Sequence, residues 1–201
     1  FSMKHFQHLS DDSLEALAIL FEAMELSACI PCKIEKVLIA LLPQSSGGFR
    51  PIGLFPAVYR LWGRSRRHLA KEWELAHSRS YFAAGQHAGA TDVVWRQSVR
   101  AEAGALQGEC AASVLWDMSK FYESFNLEWL AHRAEYWGFP EGAWRLAISA
   151  YKMPRLLSMG GFADGPFWPA RGVVAGCSFA TTFVRIYVMS AYDSIPQGTA
   201  Q

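Results

Sequence analysis

The residues of this chain that could do chemistry gather around one acid. Ala111 to Trp116 (AASVLW) is an apolar run that ends on Asp117, followed by Met118, Lys120, Phe121 and Tyr122. A carboxylate delivered by a buried strand must shift its pKa, find a partner or bind a cation. We read Asp117 as holding a metal ion for phosphoryl transfer. Cations suited to phosphate lie upstream. Arg50 follows the Ser/Gly-rich stretch Gln44–Gly48, and an arginine on a hairpin arm can grip phosphate through two parallel hydrogen bonds. Residues 47–71 hold six Lys/Arg (Arg50, Arg60, Arg64, Arg66, Arg67, Lys71) and no Asp or Glu, whereas residues 1–46 hold three against six acids. The net charge of +1 conceals this stripe. A local stripe, not the total, makes a phosphate-binding surface. Downstream, Gly172–Phe183 (GVVAGCSFATTF) is rich in small residues. Such a stretch lets another backbone or a nucleotide approach closely, or packs a helix tightly on a sheet, and both readings stay open.

The four cysteines carry less. Cys29 and Cys32 form a C-x-x-C, and His5 and His8 an H-x-x-H, a set that could bind zinc. A helical segment separates the two pairs and no second C-x-x-C exists, so free thiols are the preferred reading. Cys110 and Cys177 sit in apolar surroundings as small core residues. No disulfide framework is indicated, which fits a reducing, intracellular location, nuclear or cytoplasmic.

The elements that must position these groups follow from spacing. Ser10, with Asp11 and Asp12 after it, caps a helix carrying Leu14, Leu17, Ala18, Phe21 and Met24, which Pro31 ends. Val37–Leu42 and the FRPIGLF segment flank Gln44–Gly48 as a β-hairpin. Pro56 opens a helix to about Ala76 that carries most of the basic stripe. Ala83–Ala90 is a Gly-punctuated loop. Thr91 and Asp92 cap a helix closed by Gly104 and Gly108. Asn126 caps another that stops at Gly138, and Pro140 starts one through Tyr151. Leu156–Phe162 and Pro166–Arg171 flank a turn at Ala163–Gly165, which makes Asp164 a turn residue and not a catalytic one. The lead-in at Gly172–Phe183 continues as a helix through Met189.

The totals set the class. At 201 residues, 51% hydrophobic and 14% aromatic, with eight Trp and thirteen Phe, the chain has material for a sizeable core and is not a disordered tail. No apolar run approaches the ~18 residues of a membrane span, and no secretory signal is visible. The chain begins with Phe1 and not Met, as a processed product or fragment would. No repeat or linker interrupts it, so one continuous domain is expected.

Four stretches, in order, resemble the reverse transcriptases of non-LTR retrotransposons. VLIALLPQ…FRPIGLFPAVYRLWGR is similar to the fingers hairpin, the R-P-I block and the helix after it. AGQHAGATDVVWRQSVRAE is similar to the Q-x-G-x-x-x-G-x-T helix start. VLWDMSKFYESF is similar to the first palm block, D-x-x-K-A-F-D. RGVVAGCSF is similar to the second, R-G-x-x-Q-G-x-x-x-S. The resemblance runs from about Ile34 to Tyr187, and telomerase and group II intron maturases share much of it. It implies an α+β right-hand polymerase fold, helix-rich, with fingers over about 34–110 and the first half of the palm over about 111–201. It implies RNA-directed DNA synthesis on an RNA template and DNA primer, with dNTP as substrate and two Mg²⁺ ions. Asp117 and the Met118 carbonyl would hold the metals, Arg50 the triphosphate, and Ala175 and Gly176 the nucleotide pocket. Tyr122 would stand beneath the sugar 2′ position and exclude ribonucleotides by clash. Arg60, Arg64, Arg66, Arg67 and Lys71 would lie against nucleic-acid phosphate.

The departures are specific. Gln44 stands where the family has Lys after the fingers proline, Ala175 where it has Gln, Tyr122 where it has Phe, and Glu123 where it has Asp. The third palm block, with its paired acids, is absent; Tyr192-Asp193-Ser194 has one acid and lies on the final helix or at its end. A two-metal site needs more carboxylates than that. The expectation is a truncated chain whose palm sheet lacks the third-block hairpin and exposes Val114–Trp116 as an aggregation-prone edge. The alternative is a polymerase-derived nucleic-acid-binding protein without catalysis.

Overall fold

The structure is a computed structural model and describes residues 3–45, 47–83, 89–109 and 118–195. Cys110, the strand expected at Ala111–Trp116, Asp117 and most of the loop expected at Ala83–Ala90 lie outside the described residues. The edge expected at Val114–Trp116 does too. The elements run α1 (Asp11–Ser27), β1 (Val37–Pro43), β2 (Phe49–Leu54), α2 (Ala57–Ser65), α3 (Arg67–Ala76) and α4 (Ala90–Leu106). After these come α5 (Phe121–Ser124), α6 (Leu127–Tyr136), α7 (Glu141–Lys152), β3 (Arg155–Met159), β4 (Phe162–Phe167) and α8 (Ala180–Asp193). The fold is mixed α+β. Two compact units divide it: Phe1–Lys71 with Lys120–Gln201, and Glu72–Ser119.

In the larger unit the expected hairpin forms, with β1 and β2 antiparallel from Leu38↔Leu54 to Pro43↔Phe49. A second hairpin, β3–β4, joins it because β1 pairs parallel with β3, Val37 against Arg155 through Ala40 against Ser158. The result is one mixed sheet in the order β2-β1-β3-β4. The β3–β4 turn differs from the sequence reading. It lies at Gly160–Gly161, whose φ angles of 57° and 87° are both positive. A two-residue hairpin turn of the twisted kind needs that conformation at both central positions, and a glycine pair meets it without a Cβ clash. Asp164 therefore sits in strand β4, opposite Leu157, and not in a turn.

Helix limits follow local capping. Ser10 Oγ accepts the Ser13 N–H at 3.4 Å, as its type suggested. The helix stops at Ser27, short of Pro31, because Ala28 turns left-handed (φ 49°). The Ala28 and Cys29 amides then satisfy the Glu25 and Met24 carbonyls at 3.3 and 3.2 Å. Phe21 and Met24 are buried, while Leu14 and Ile19 are exposed, so the packing stripe of α1 is shorter than its apolar spacing. Asn126 Oδ1 accepts the Trp129 N–H at 2.8 Å. At the other end of α6 the Phe139 N–H reaches the Ala134 carbonyl at 2.9 Å. The single helix expected from Pro56 to Ala76 is two, α2 and α3, divided at Arg66 (φ −96°, ψ 7°). No Gly or Pro marks that division; it coincides with the residue whose side chain turns toward α1.

Aromatic side chains from α2, α6–α7 and α8 fill the core. Trp62 meets Phe179 at 5.4 Å between ring centroids, and Phe183 meets Phe139 at 5.5 Å and Tyr151 at 6.0 Å. Trp62, Tyr151, Phe179 and Phe183 are buried completely. No helix among the described residues is long and apolar enough to cross a membrane.

The smaller unit contains α4. Its N-cap is Gly89, and Asp92, expected as part of the cap, reaches back from the third helical position to accept the Gly89 N–H at 2.8 Å. Trp73 and His77 stack at 4.3 Å.

Candidate functional site

Three separated blocks of the sequence converge in the larger unit. The lead-in to α8, expected to admit a close approach through its small residues, is fastened at Gly172, Val173 and Ala175 by main-chain bonds. Gly172 N–H donates to the Phe125 carbonyl and Val173 N–H to the Tyr122 carbonyl, each at 2.8 Å. The stretch Phe121–Phe125 is thereby joined to the Gly172–Gly176 loop through the turn α5. Two residues past Val173, the Ala175 carbonyl accepts the Gly53 N–H of β2 at 2.8 Å, which joins β2 to the same loop. We refer to this arrangement of β2, α5 and Gly172–Gly176 as the seam.

The glycines of the seam are steric requirements. Gly176 has φ 113°, and a Cβ there would collide with the Gly53 carbonyl oxygen. A Cβ on Gly53 would collide with the Val174 side chain. Of the two readings left open for this loop, close backbone approach is the one realised at Gly176, against β2.

Beside the seam lies a buried polar pair, Tyr59 and Cys177. Tyr59 Oη and Cys177 Sγ are 3.3 Å apart in a hydrogen bond that either can donate. The Phe179 N–H donates to the same sulfur at 3.5 Å. Burial pushes the Cys177 thiol above its usual pKa, against the hydrogen bonds it receives. Burial, with Cys177 beside it, raises the Tyr59 phenol. Tyr151 is raised by burial and then by Cys177, Tyr59 and Tyr122. All three groups therefore stay protonated and neutral near pH 7, which is what an interior of low dielectric favours. Half-buried Arg155 has its pKa lowered by burial, opposed by the charge of Glu123 on α5.

The basic residues separate into two kinds. Arg60 and Arg64 on α2, and Arg67 and Lys71 on α3, are exposed and form two pairs at i,i+4. Arg66 is not part of that row. Its Nε donates to Glu25 Oε1 at 2.7 Å, and the buried Trp62 Nε1 donates to the same oxygen at 2.6 Å. Arg50 is exposed in β2 opposite Leu42. Strand alternation puts it on the sheet face opposite that of Gly53, so the seam and Arg50 belong to different faces. Tyr122 is half-buried in α5, Ala175 is half-buried, and Gly176 and Met118 are exposed.

Among the described residues no group of three or more His, Cys, Asp or Glu is placed to hold a metal ion. Cys29 and Cys32 are exposed thiols, and Cys177 is buried, the core position expected for it. Asp193 ends α8, the position its sequence suggested. Sequence reasoning missed Gly53, although a glycine inside a strand pattern is a recognised mark of close backbone approach. It also missed Glu25 as the partner of Arg66 and Trp62, for which the sequence carries no local signal. No protein-family model matches the chain, and no curated protein matches it.

Proposed function

We propose that this chain is the fingers and first palm portion of an RNA-directed DNA polymerase related to those of non-LTR retrotransposons. The convergence of β2, α5 and the Gly172–Gly176 loop supports it. These are the R-P-I block, the end of the D-x-x-K block and the R-G block, three stretches that resemble one family and that main-chain hydrogen bonds of 2.8 Å bring together. Chemically, a nucleotide on this seam would meet the Tyr122 side chain and the Ala175–Gly176 backbone. Asp117 and the Met118 carbonyl would hold Mg²⁺ with further carboxylates, and the metal would activate the primer hydroxyl and offset the negative charge that develops on the leaving pyrophosphate. Arg50 would reach the triphosphate around the edge of β2.

The test is primer extension with an RNA template, a DNA primer, dNTP and Mg²⁺, using the protein of the complete reading frame. Asp117→Asn is expected to abolish extension and leave primer–template binding unchanged. Extension by that variant near the parent rate would overturn the role given to Asp117.

The exposed row of Arg60, Arg64, Arg67 and Lys71 favours a second reading, nucleic-acid binding without catalysis. Salt-dependent RNA binding by a parent protein that extends no primer would establish it over the first.

A further inference from the structure

Strand β4 is an edge of the sheet, and an apolar cleft opens beside it. Directly paired residues share a face, so Leu157 with Asp164, and Met159 with Phe162, stand on one side. The pairing of Ile39 with Leu157 puts buried Ile39, and two residues on Leu41, on that side too. There Leu41, Leu157, Met159, Phe162 and Asp164 line a cleft of about 340 Å³. That volume falls within the range of small-ligand pockets, roughly 300–1,000 Å³. Its walls are large apolar groups left in water: Phe162 is 83% exposed and Met159 50%. Among the described residues that line it, Asp164 alone is charged. The backbone does not call for an acid at this position. The β3–β4 turn lies at Gly160–Gly161, and aspartate is depleted from strands. Asp164 Oδ1 accepts the Gly165 N–H at 2.8 Å, and the carboxylate makes no ion pair among the described residues. A charge on an edge strand also guards it against pairing with another chain, but that role needs no cleft.

We propose that this cleft is a small-molecule site for an aromatic amine, with the ring against Phe162, Met159, Leu157 and Leu41 and the ammonium group on the Asp164 carboxylate. Apolar walls with one convergent polar group are the composition of such sites. The Phe162 ring and the Met159 sulfur favour an aromatic body, through ring–ring and sulfur–ring contacts. The carboxylate sets the sign of the ligand, because an ammonium group there makes a charge-assisted hydrogen bond. Neither the cleft nor Asp164 belongs to the seam or to the basic row, so the site stands apart from the polymerase reading. Phenethylamine, phenethyl alcohol and hydrocinnamate each carry a benzene ring on a short chain and differ in the charge at its end. Saturation-transfer NMR titration of the whole chain measures each. Wild type is expected to bind the amine with a dissociation constant of about a millimolar. The amine should bind about fivefold more tightly than the alcohol, the scale of one exposed charge pair, and hydrocinnamate most weakly. Asp164→Asn should bring the amine down to the level of the alcohol. Phe162→Ala should weaken amine and alcohol alike, and Trp168→Ala, outside the cleft, should change neither. All three side chains are exposed, so melting temperatures should stay within about 2 °C of wild type. An amine bound no more tightly than the alcohol or the acid by wild type overturns the proposal. So does an amine bound equally by wild type and Asp164→Asn. Binding that survives Phe162→Ala intact overturns it too, since the ligand would then lie elsewhere. An Asp164 that only guards the edge would give no amine binding and lower solubility on Asp164→Asn, which also overturns it.

Discussion

The seam and the basic row are both candidate functional surfaces, and they are built in opposite ways. At the seam, backbone meets backbone: Gly53 against Ala175 and Gly176, and α5 against Gly172 and Val173. Its geometry is part of the fold, so an added methyl group there disturbs structure before it disturbs any ligand. The row of Arg60, Arg64, Arg67 and Lys71 is solvent-facing. Its charges interact through water, and removing one costs the fold little. Arg66 shows how close the two designs lie in sequence. It stands among the row's residues and yet serves the interior, through Glu25 and Trp62.

That contrast orders the expected effects of substitution. The largest belongs to the seam. Gly53→Val would drive a branched side chain into Val174, and a destabilisation of about 3 kcal/mol or more is expected, at the upper end for overpacking. Chemical denaturation measures it; a loss under ~1 kcal/mol would mean that the loop is not seated on β2. Next comes Glu25→Ala, which leaves the buried indole N–H of Trp62 and the half-buried Arg66 without their acceptor. A loss of about 1–3 kcal/mol is expected, discounted toward the lower end because Arg66 keeps 30% of its surface.

A smaller effect depends on pH. Tyr59, Tyr151 and Cys177 have folded-state pKa values raised by burial. The unfolded chain then releases these protons at lower pH than the folded one. Stability from this source is intact below the ordinary thiol and phenol values of about 8.5 and 10, and falls as pH rises beyond them. Urea midpoints followed from pH 7 to 11 should show the decline, and Cys177→Ala should flatten its first part. A midpoint constant across that range would contradict the burial of these groups.

The smallest effect on stability belongs to the row. Arg64→Ala with Arg67→Ala should change it by no more than about 0.5 kcal/mol. The same pair should reduce the slope of log K against log salt for RNA binding by roughly 1.4, two phosphate contacts at about 0.7 each on a single strand. Arg66→Ala should do the reverse, destabilising the fold and leaving the slope unchanged. Equal slopes for the two variants would erase the distinction drawn between them.

The parts legible in the sequence were those decided by neighbours. Ser10, Asn126 and Gly138 cap their helices by bonds to residues one turn away. The β1–β2 hairpin follows from two apolar runs around Gln44–Gly48. The β3–β4 turn was misplaced because Gly160–Gly161 and Asp164–Gly165 both resemble turn pairs, and only the first has both residues at positive φ. The division at Arg66 and the parallel pairing of β1 with β3 could not be read at all. The pairing depends on a partner distant in sequence, Arg155–Ser158, and the division coincides with the residue bonded to distant Glu25. The site was half legible. Motif resemblance named Tyr122 and Gly176, but main-chain bonding and not side-chain chemistry joins their segments, and such bonds leave no residue-type signature.

The central claim is that the seam is the nucleotide side of a polymerase site, with Tyr122 beneath the sugar. Steady-state incorporation of dNTP against rNTP by Tyr122→Ala, in the protein of the complete reading frame, tests it most directly. The ratio of kcat/KM for dNTP over rNTP is expected to fall by at least about tenfold, through gain of rNTP use, because a steric exclusion worth ~1.4 kcal/mol or more is removed. An unchanged ratio, with dNTP incorporation intact, would contradict it.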